Sequence, residues 1–583
     1  MITFYVQQGQ TDALFEIDNF VYDSYLNWVG MTALSTYRDE NHRGVIGLGE
    51  RSKNSLFYQD GVYSMWAYDD PTKNDDGTPG KNGYGVHPFF MFQHAPEKWV
   101  GVFSKQAHAQ DWIINNYPSD GKTVLKQVAT GGVSDFYIMI NSNSPDSVIA
   151  YYQRIVGKPA LMPQWALGWH QCKYCLRTLN EYREVVDNYK KYNIPLDAQW
   201  GDIDYMHNYQ NFKVDYLYFG DLKAYVDELY HNESMGIKFV PIVDAGIAIR
   251  QNYSTYANGE KEGVFLKSAN DGGKTLVAKV WPNDAAIPDF FAPNTQSWWH
   301  KELTEFRDNH VHFDGLWLDM NEAANFCNGA CLERQKTNES MADMFYYTPT
   351  GRSLESKSLP LDTVHANSKF TQLDTHNYFG AHQIAVTHAW FKANSTKRPF
   401  IIGRSTFAGT GKHAGKWLGD SGSNYDDMQR SVTGSMMMNM FGIPFVGGDI
   451  CGFMGENSSP ELCARWHQVG AFQPFSRNHR DCDGKPQEPY RFVNNTILNG
   501  TVSLTDLMRK SINEKYSLIR YYYTHLFLLS QDNSTNGAFY KPVFFEFPNL
   551  AGAYRAEPSE NVMLGPSLKL SIKTTANKNW DAE

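Results

Sequence analysis

The sequence predicts an α/β protein built on a (β/α)8 TIM barrel. From about residue 163 onward, short apolar strands alternate with amphipathic helices, and eight candidate strands can be picked out. Most of them end in an acidic or basic residue, which is where that fold gathers its chemistry. A doubly wound sheet would instead want a Gly-rich phosphate turn after the first strand, and none is present. Gly409–Lys416 (GTGKHAGK) lacks the strand–loop–helix frame of a phosphate loop.

With 583 residues the chain has room for two or three domains. Residues 1–155 read as part of an N-terminal β-sandwich. Runs such as Trp99–Ser104 and Asp135–Ile140 are bounded by Gly, Asn, Asp and Ser, and helical periodicity is scarce. Tyr68–Gly85 is loop.

Residues 156–531 are the expected barrel. Trp165–His170 is its first strand. Thr178 and Glu181 form a capping box, and Tyr182, Val185, Val186 and Tyr189 line one face of the helix that follows. Leu196–Trp200 is the second strand, with Asp202 just past its end. Helix Leu222–Met235, the stop at Gly236, strand Lys238–Val243 and then Asp244 repeat the unit. The remaining strands are Gly315–Leu318, Pro399–Gly403, Trp417–Gly419, Pro444–Val446 and Phe472–Phe475. Residues 244–298 and 325–379 are too long for βα loops and are expected as insertions after the third and fourth strands. Ser503–Gln531 closes the barrel as a long helix, and 532–583 begin a C-terminal β-sandwich.

A net charge of −10 argues against nucleic acid as partner. The longest apolar run, Phe239–Ile249, is broken by Asp244 and is far short of the roughly 20 residues a span needs, so no membrane span is expected. The opening MITFYVQQGQ shows neither a basic n-region nor an h-region, so no signal peptide is visible. Asparagine sequons nevertheless stand at 232, 252, 338, 394, 457, 494, 499 and 533, which points to the secretory pathway, lysosomal or extracellular. The seven cysteines include one C-x-x-C, Cys172 and Cys175, with no second pair at zinc spacing. Disulfides with at least one thiol left over are expected, and no metal or other cofactor.

Two strings carry the chemistry. In GLWLDMNE a strand delivers Trp317 and then Asp319 at its end; WLGDSGS delivers Trp417 and then Asp420. Either carboxylate alone would read as a helix cap. Two of them on separate strands of one barrel can flank a glycosidic bond, one attacking C1 and the other protonating the leaving oxygen. An aromatic content of 15% suits a site that stacks sugar rings as well as it suits large cores.

With these strings in place the chain resembles glycoside hydrolase family 31, in its α-glucosidase branch. The likeness runs through GLGER (Gly47–Arg51), WALGWHQCKY, DIDYM, GLWLDMNE, DTHNYFG, GRSTFAGTGKHAGKWLGD, GGDICGF, FSRNH, QEPYRF and KPVFFEFP (Lys541–Pro548). It implies a retaining, exo-acting hydrolase of α-linked glucose in maltose and malto-oligosaccharides. Asp319 is implied as nucleophile and Asp420 as acid/base. The implied glucose pocket is polar at Asp202, Arg404, Asp449 and His479, with Arg477 from the R-N-H motif. Its walls are Tyr174, Trp281, Trp317, Trp417 and Phe453, with Ile203 and Met320. A loop of the N-terminal domain brings an Asp, matched by Asp69 with Asp70 beside it. Cys451 and Cys463 match a disulfide. An N-glycan-trimming α-glucosidase, an α-xylosidase of the same family and a non-catalytic sugar-binding homologue are the alternatives.

Plainer roles suit other residues. Glu322 should pair with a basic group, Asp204 and Asp244 read as barrel-rim ion pairs, and Trp298 and Trp299 as core. The family usually has Asn after the acid/base Asp and a Trp shortly beyond; Ser421 and Tyr425 stand there instead. Members also carry a fuller N-terminal sandwich and two C-terminal β domains, so the chain is expected to be truncated at both ends.

Overall fold

The structure, a computed structural model, describes residues 2–4, 15–22, 28–35, 44–51, 56–70, 82–95, 97–117, 122–231, 236–337, 353–455, 457–497 and 500–575.

Two antiparallel sheets precede the barrel. One has six strands, in the order 2–4, 15–22, 28–35, 122–129, 110–117 and 61–65; the other has four, 136–142, 98–104, 89–95 and 45–47. Alternating apolar side chains from both sheets meet in one core, with Phe90, Val100 and Val102 facing Trp112, Ile114 and Leu125. This is the sandwich that the alternating pattern predicts.

The barrel strands are all parallel: β1 Trp169–Gln171, β2 Ala198–Gly201, β3 Lys238–Asp244, β4 Leu316–Asp319, β5 Ile401–Gly403, β6 Gly415–Trp417, β7 in two pieces (Val446–Gly447 and Asp449–Ile450), and β8 Ser476–Asn478. The first piece of β7 pairs with β6 and the second with β8. The strand therefore breaks at Gly448 and hands the ladder from one neighbour to the other, which closes the ring at eight. Aromatic rings fill the interior below the site: Trp200 lies 5.5 Å from Phe475, and Phe400 lies 6.0 Å from Phe445. The barrel is a packed core and not a pore.

Several strands sit a few residues later than the apolar pattern suggests. Pro163 starts a 3-10 turn over Gln164–Leu167, so β1 begins only at Trp169. Likewise β8 is the polar triplet Ser476–Asn478, all buried, and not Phe472–Phe475. Apolar residues leading into a barrel strand fill its closed end, while the hydrogen-bonded strand itself carries the polar functional groups.

The capping box at Thr178 and Glu181 is present at the head of helix Leu179–Lys191. Between β3 and helix Thr295–Asn309 lies a small sheet of 247–248, 283–286 and 278–280. Trp298 and Trp299 of that helix are fully buried. The segment after β4 carries the pair 364–365 and 370–371 before helix Phe379–Asn394. Helix Leu504–Leu529 closes the barrel. The antiparallel sheet 540–542, 561–564 and 568–571 packs onto it, with Tyr521 donating to the carbonyl of Leu564. Three disulfides form: Cys175–Cys482, Cys327–Cys331 and Cys451–Cys463. No helix among the described residues is long and apolar enough to cross a membrane.

Candidate active site

Asp319 is the last residue of β4, and Asp420 follows β6 after a two-residue turn. Their strands do not touch, because β5 lies between them. Arg404, just past β5, occupies the gap. Its Nε lies 3.0 Å from Asp319 Oδ1, and its terminal nitrogen 3.3 Å from Asp69 Oδ1. Yet the guanidinium N–H groups are aimed at Glu322: Nε donates at 3.0 Å and the terminal nitrogen at 2.7 Å. Asp319 Oδ1 feels the cation without accepting an aligned hydrogen bond, so its lone pairs remain available. Glu322 thus has the basic partner expected of it.

Burial raises the carboxyl of Asp319 above its ordinary value, and Arg404 works against that rise. Asp420 is pushed well above the carboxylate range by burial, with the charge of Asp319 adding to it. Arg404 works against the rise of both acids, and Asp420 is raised the further of the two.

A second polar cluster sits on β7 and β8. Asp449 Oδ1 accepts from Arg477 at 2.7 Å and from Trp417 Nε1 at 2.9 Å, and burial lifts its carboxyl to about 6. The Arg477 guanidinium carbon is 4.4 Å from the Trp317 ring centre, 4.7 Å from Trp200 and 5.0 Å from Trp417. A buried cation is held by three indoles and one carboxylate, which offsets its loss of water. The second oxygen of Asp449 is buried and has no hydrogen-bond partner among the described residues.

Asp202 follows β2 and caps the turn Ile203–Tyr205, accepting from the Ile203 N–H at 2.7 Å. Burial and the nearby Asp204 raise it to about 8. His479 follows β8; its Nε2 lies 3.5 Å from Asp202 Oδ2, and its ring stacks on Phe453 at 4.6 Å. Burial holds the imidazole neutral, with Arg477 pressing the same way. Tyr174 and Trp281 meet at the rim, ring centres 6.3 Å apart. Met320 touches Arg404 through its sulfur at 3.2 Å. Of the predicted residues only Trp281 is substantially exposed.

The sandwich completes the wall. Asp69 is the member of its pair that reaches Arg404. Glu50 of the GLGER motif pairs with the buried Lys416 of β6 at 3.1 Å. The Asp420 N–H donates to the Tyr84 hydroxyl at 3.3 Å, and the Tyr84 ring lies 4.7 Å from the Arg404 guanidinium carbon. A Cβ on Gly419, at φ +83°, would fall 1.9 Å from that ring. Glycine is required there, both for its backbone conformation and to let Tyr84 in.

Two expectations change. Asp244 makes no ion pair among the described residues. It is buried, one of its oxygens has no partner, and Asp319 and Asp202 add to the burial that raises its carboxyl. It belongs to the acid cluster, and its place at the very end of β3 was the available signal. Asp204 forms no ion pair among the described residues either, although Arg177 and Lys173 act on it at a distance; its carboxylate accepts the Cys175 N–H at 2.6 Å. Tyr84 carried no signal, being one aromatic in a loop. A cavity of 930 Å³ at the opposite mouth of the barrel, lined by Trp165, Lys238, Phe313 and Lys397, contains none of these residues.

Residues 159–525 match the model of the Glycosyl hydrolases family 31 TIM-barrel domain. A lysosomal alpha-glucosidase of Bos taurus is 37% identical over 479 residues, 81% of this chain and 48% of its own length. An alpha-glucosidase of Hordeum vulgare is 33% identical over 514 residues, 87% of this chain and 55% of its own. The chain spans about half the length of these curated relatives. The crystal structure of a Family 31 alpha-glucosidase from Bacteroides thetaiotaomicron superposes with a TM-score of 0.73 at 26% identity, covering 94% of this chain and 81% of that one.

Proposed function

The chain belongs to glycoside hydrolase family 31, and from that premise we propose that it is a retaining, exo-acting α-glucosidase. Asp319 attacks C1 while Asp420 gives its proton to the glycosidic oxygen. A β-glucosyl ester forms on Asp319, and Asp420 then takes a proton from water, which releases α-glucose. Asp202, Arg404, Asp449, Arg477 and His479 bind the glucose hydroxyls. Tyr174, Trp281, Trp317, Trp417 and Phe453 wall the pocket, with Ile203 and Met320, and Asp69 closes it from the sandwich. The reading keeps the division into 1–155, 156–531 and 532–583.

The observation that carries the proposal is the pair of acids set at the ends of β4 and β6 about one arginine. Burial raises both carboxyls and Arg404 works against the rise of each; Asp319 has the guanidinium against it at 3.0 Å, and Asp420, which also feels the charge of Asp319, is raised the further. The α-glucosidase relatives support the choice of glucose. Three disulfides and the exposed sequon residues Asn252, Asn394, Asn457, Asn494 and Asn533 support passage through the secretory pathway. The other sequons, at Asn232, Asn338 and Asn499, lie outside the described residues.

Purified protein should release glucose from the non-reducing end of maltose and short malto-oligosaccharides. Faster turnover of 4-nitrophenyl α-xyloside than of the matching glucoside would overturn the substrate, and no turnover of either would overturn the activity.

A further inference from the structure

Six of the seven cysteines are paired, and Cys172 is left as a buried thiol at the end of β1. It has company. Its Sγ, a carboxylate oxygen of Asp202 and a ring nitrogen of His479 all lie within 4.8 Å of one another. These residues sit at the ends of β2, β1 and β8, three adjacent strands of the barrel.

The spacing suits a small cation. Around a tetrahedral zinc ion with bonds of about 2.0–2.3 Å, donor atoms stand roughly 3.4–3.7 Å apart. Asp202 Oδ2 and His479 Nε2 are 3.5 Å apart, already at that distance, and a donor atom of each residue lies within 4.8 Å of the sulfur. His479 is fully buried, and its ring nitrogens make no well-aligned hydrogen bond among the described residues, the backbone of Cys172 being the one group that leans toward the ring. A buried imidazole held only by such loose contacts is open to a ligand. A sugar hydroxyl would use Asp202 and His479, but it gains little from a thiol, which is a weak donor and a soft ligand.

We propose that Cys172, Asp202 and His479 form a site for a thiophilic divalent cation of the zinc class, and that the bound ion shuts the pocket to sugar. The inhibitory half rests on the assignment of Asp202 and His479 to the glucose pocket; the binding half does not. On binding, the Cys172 thiol passes its proton to water as the sulfur–metal bond forms, with no change of oxidation state. A water fills the fourth position. The similar cluster of Cys451, Cys463 and His467 does not compete, because its two sulfurs are bonded to each other.

Cobalt(II) is the probe, since its bond to a thiolate gives a near-ultraviolet charge-transfer band and Cys172 is the one free thiol. Titration of the whole protein should raise that band to one equivalent. Cys172→Ser should abolish it, and His479→Ala should weaken binding roughly 10- to 100-fold or more. In parallel, Zn²⁺ should inhibit glucoside hydrolysis competitively, and the Cys172→Ser protein should resist it by a similar factor while keeping its basal rate. A band that survives in Cys172→Ser, or none in the parent protein, overturns the site. A band without competitive inhibition overturns the blockade and leaves the ligands standing. A protein that binds cobalt but hydrolyses nothing puts the failure on the proposed activity instead. Should Cys172→Ser not fold, X-ray absorption at the zinc edge of the parent protein decides, and a shell without sulfur refutes the proposal.

Discussion

Trp317 and Trp417 meet edge to face, with ring centres 5.1 Å apart and planes at 89°. One precedes Asp319 by two positions and the other precedes Asp420 by three. The contact crosses the barrel between strands that share no hydrogen bond, and ties β4 to β6 directly below the two carboxylates.

Asp319→Asn should remove nearly all turnover on every substrate, because no glucosyl ester can form. Asp420→Asn should cost roughly 10²- to 10⁴-fold on maltose and much less on a dinitrophenyl glucoside, whose leaving group needs no proton. Azide should restore the latter variant and yield α-glucosyl azide, read by NMR. A β product, or substantial activity in Asp319→Asn, would show the roles to be wrong.

Glu322→Gln keeps the shape and loses the charge that orients Arg404. With its N–H groups released, Arg404 is expected to turn toward Asp319 and bind the lone pairs that attack C1. We expect kcat to fall about 10- to 100-fold with KM changed far less and the melting curve still cooperative. An unchanged kcat would show that Arg404 is held without Glu322.

Gly419→Ala places a methyl group on the Tyr84 ring and forces an L-residue to φ +83°. The backbone alone costs about 1–2 kcal/mol. Activity should be lost and Tm lowered. Adding Tyr84→Ala should return part of the Tm by removing the clash, although not the activity. A double variant no more stable than Gly419→Ala alone would place the strain elsewhere.

Stability should form a plateau in acid and fall on both sides of it. Asp202, held at about 8, and Glu322, at about 7, have folded values above their unfolded ones. Their contribution is complete below the unfolded values and is lost as pH rises through 7 to 8. His87 and His170, depressed to about 3, and His376 and His467, to about 4, act the other way. Their contribution is present above pH 6.5 and is lost as pH falls toward 3. Between about 4 and 6.5 the two groups oppose each other. Tm measured across pH 3–9 should trace this shape, and Asp202→Asn should flatten the alkaline limb. A Tm that rises steadily to pH 9 would contradict it.

The barrel and the order of its strands were legible in the sequence because each strand end couples an apolar approach to a polar tip, and Asp319 and Asp420 do stand at or just past such ends. Strand limits were less so. Pro163 and the polar triplet Ser476–Asn478 mislead an apolar count, since burial inside this barrel includes polar groups satisfied by one another. Glu322 was read correctly from its charge and neighbours. Asp244 was not, because an acid at a strand end looks the same with or without a cation nearby. Asp69 and Asp70 are indistinguishable until the chain folds, as is the choice of Cys482 as partner for Cys175, 307 residues away.

That last bond joins the arm after β1 to the arm after β8, the first and last of the ring. A protease that cuts the backbone anywhere between residues 176 and 481 leaves two pieces on one covalent frame. Clipped protein would run as a single species until a reductant is added, and would part into two afterwards.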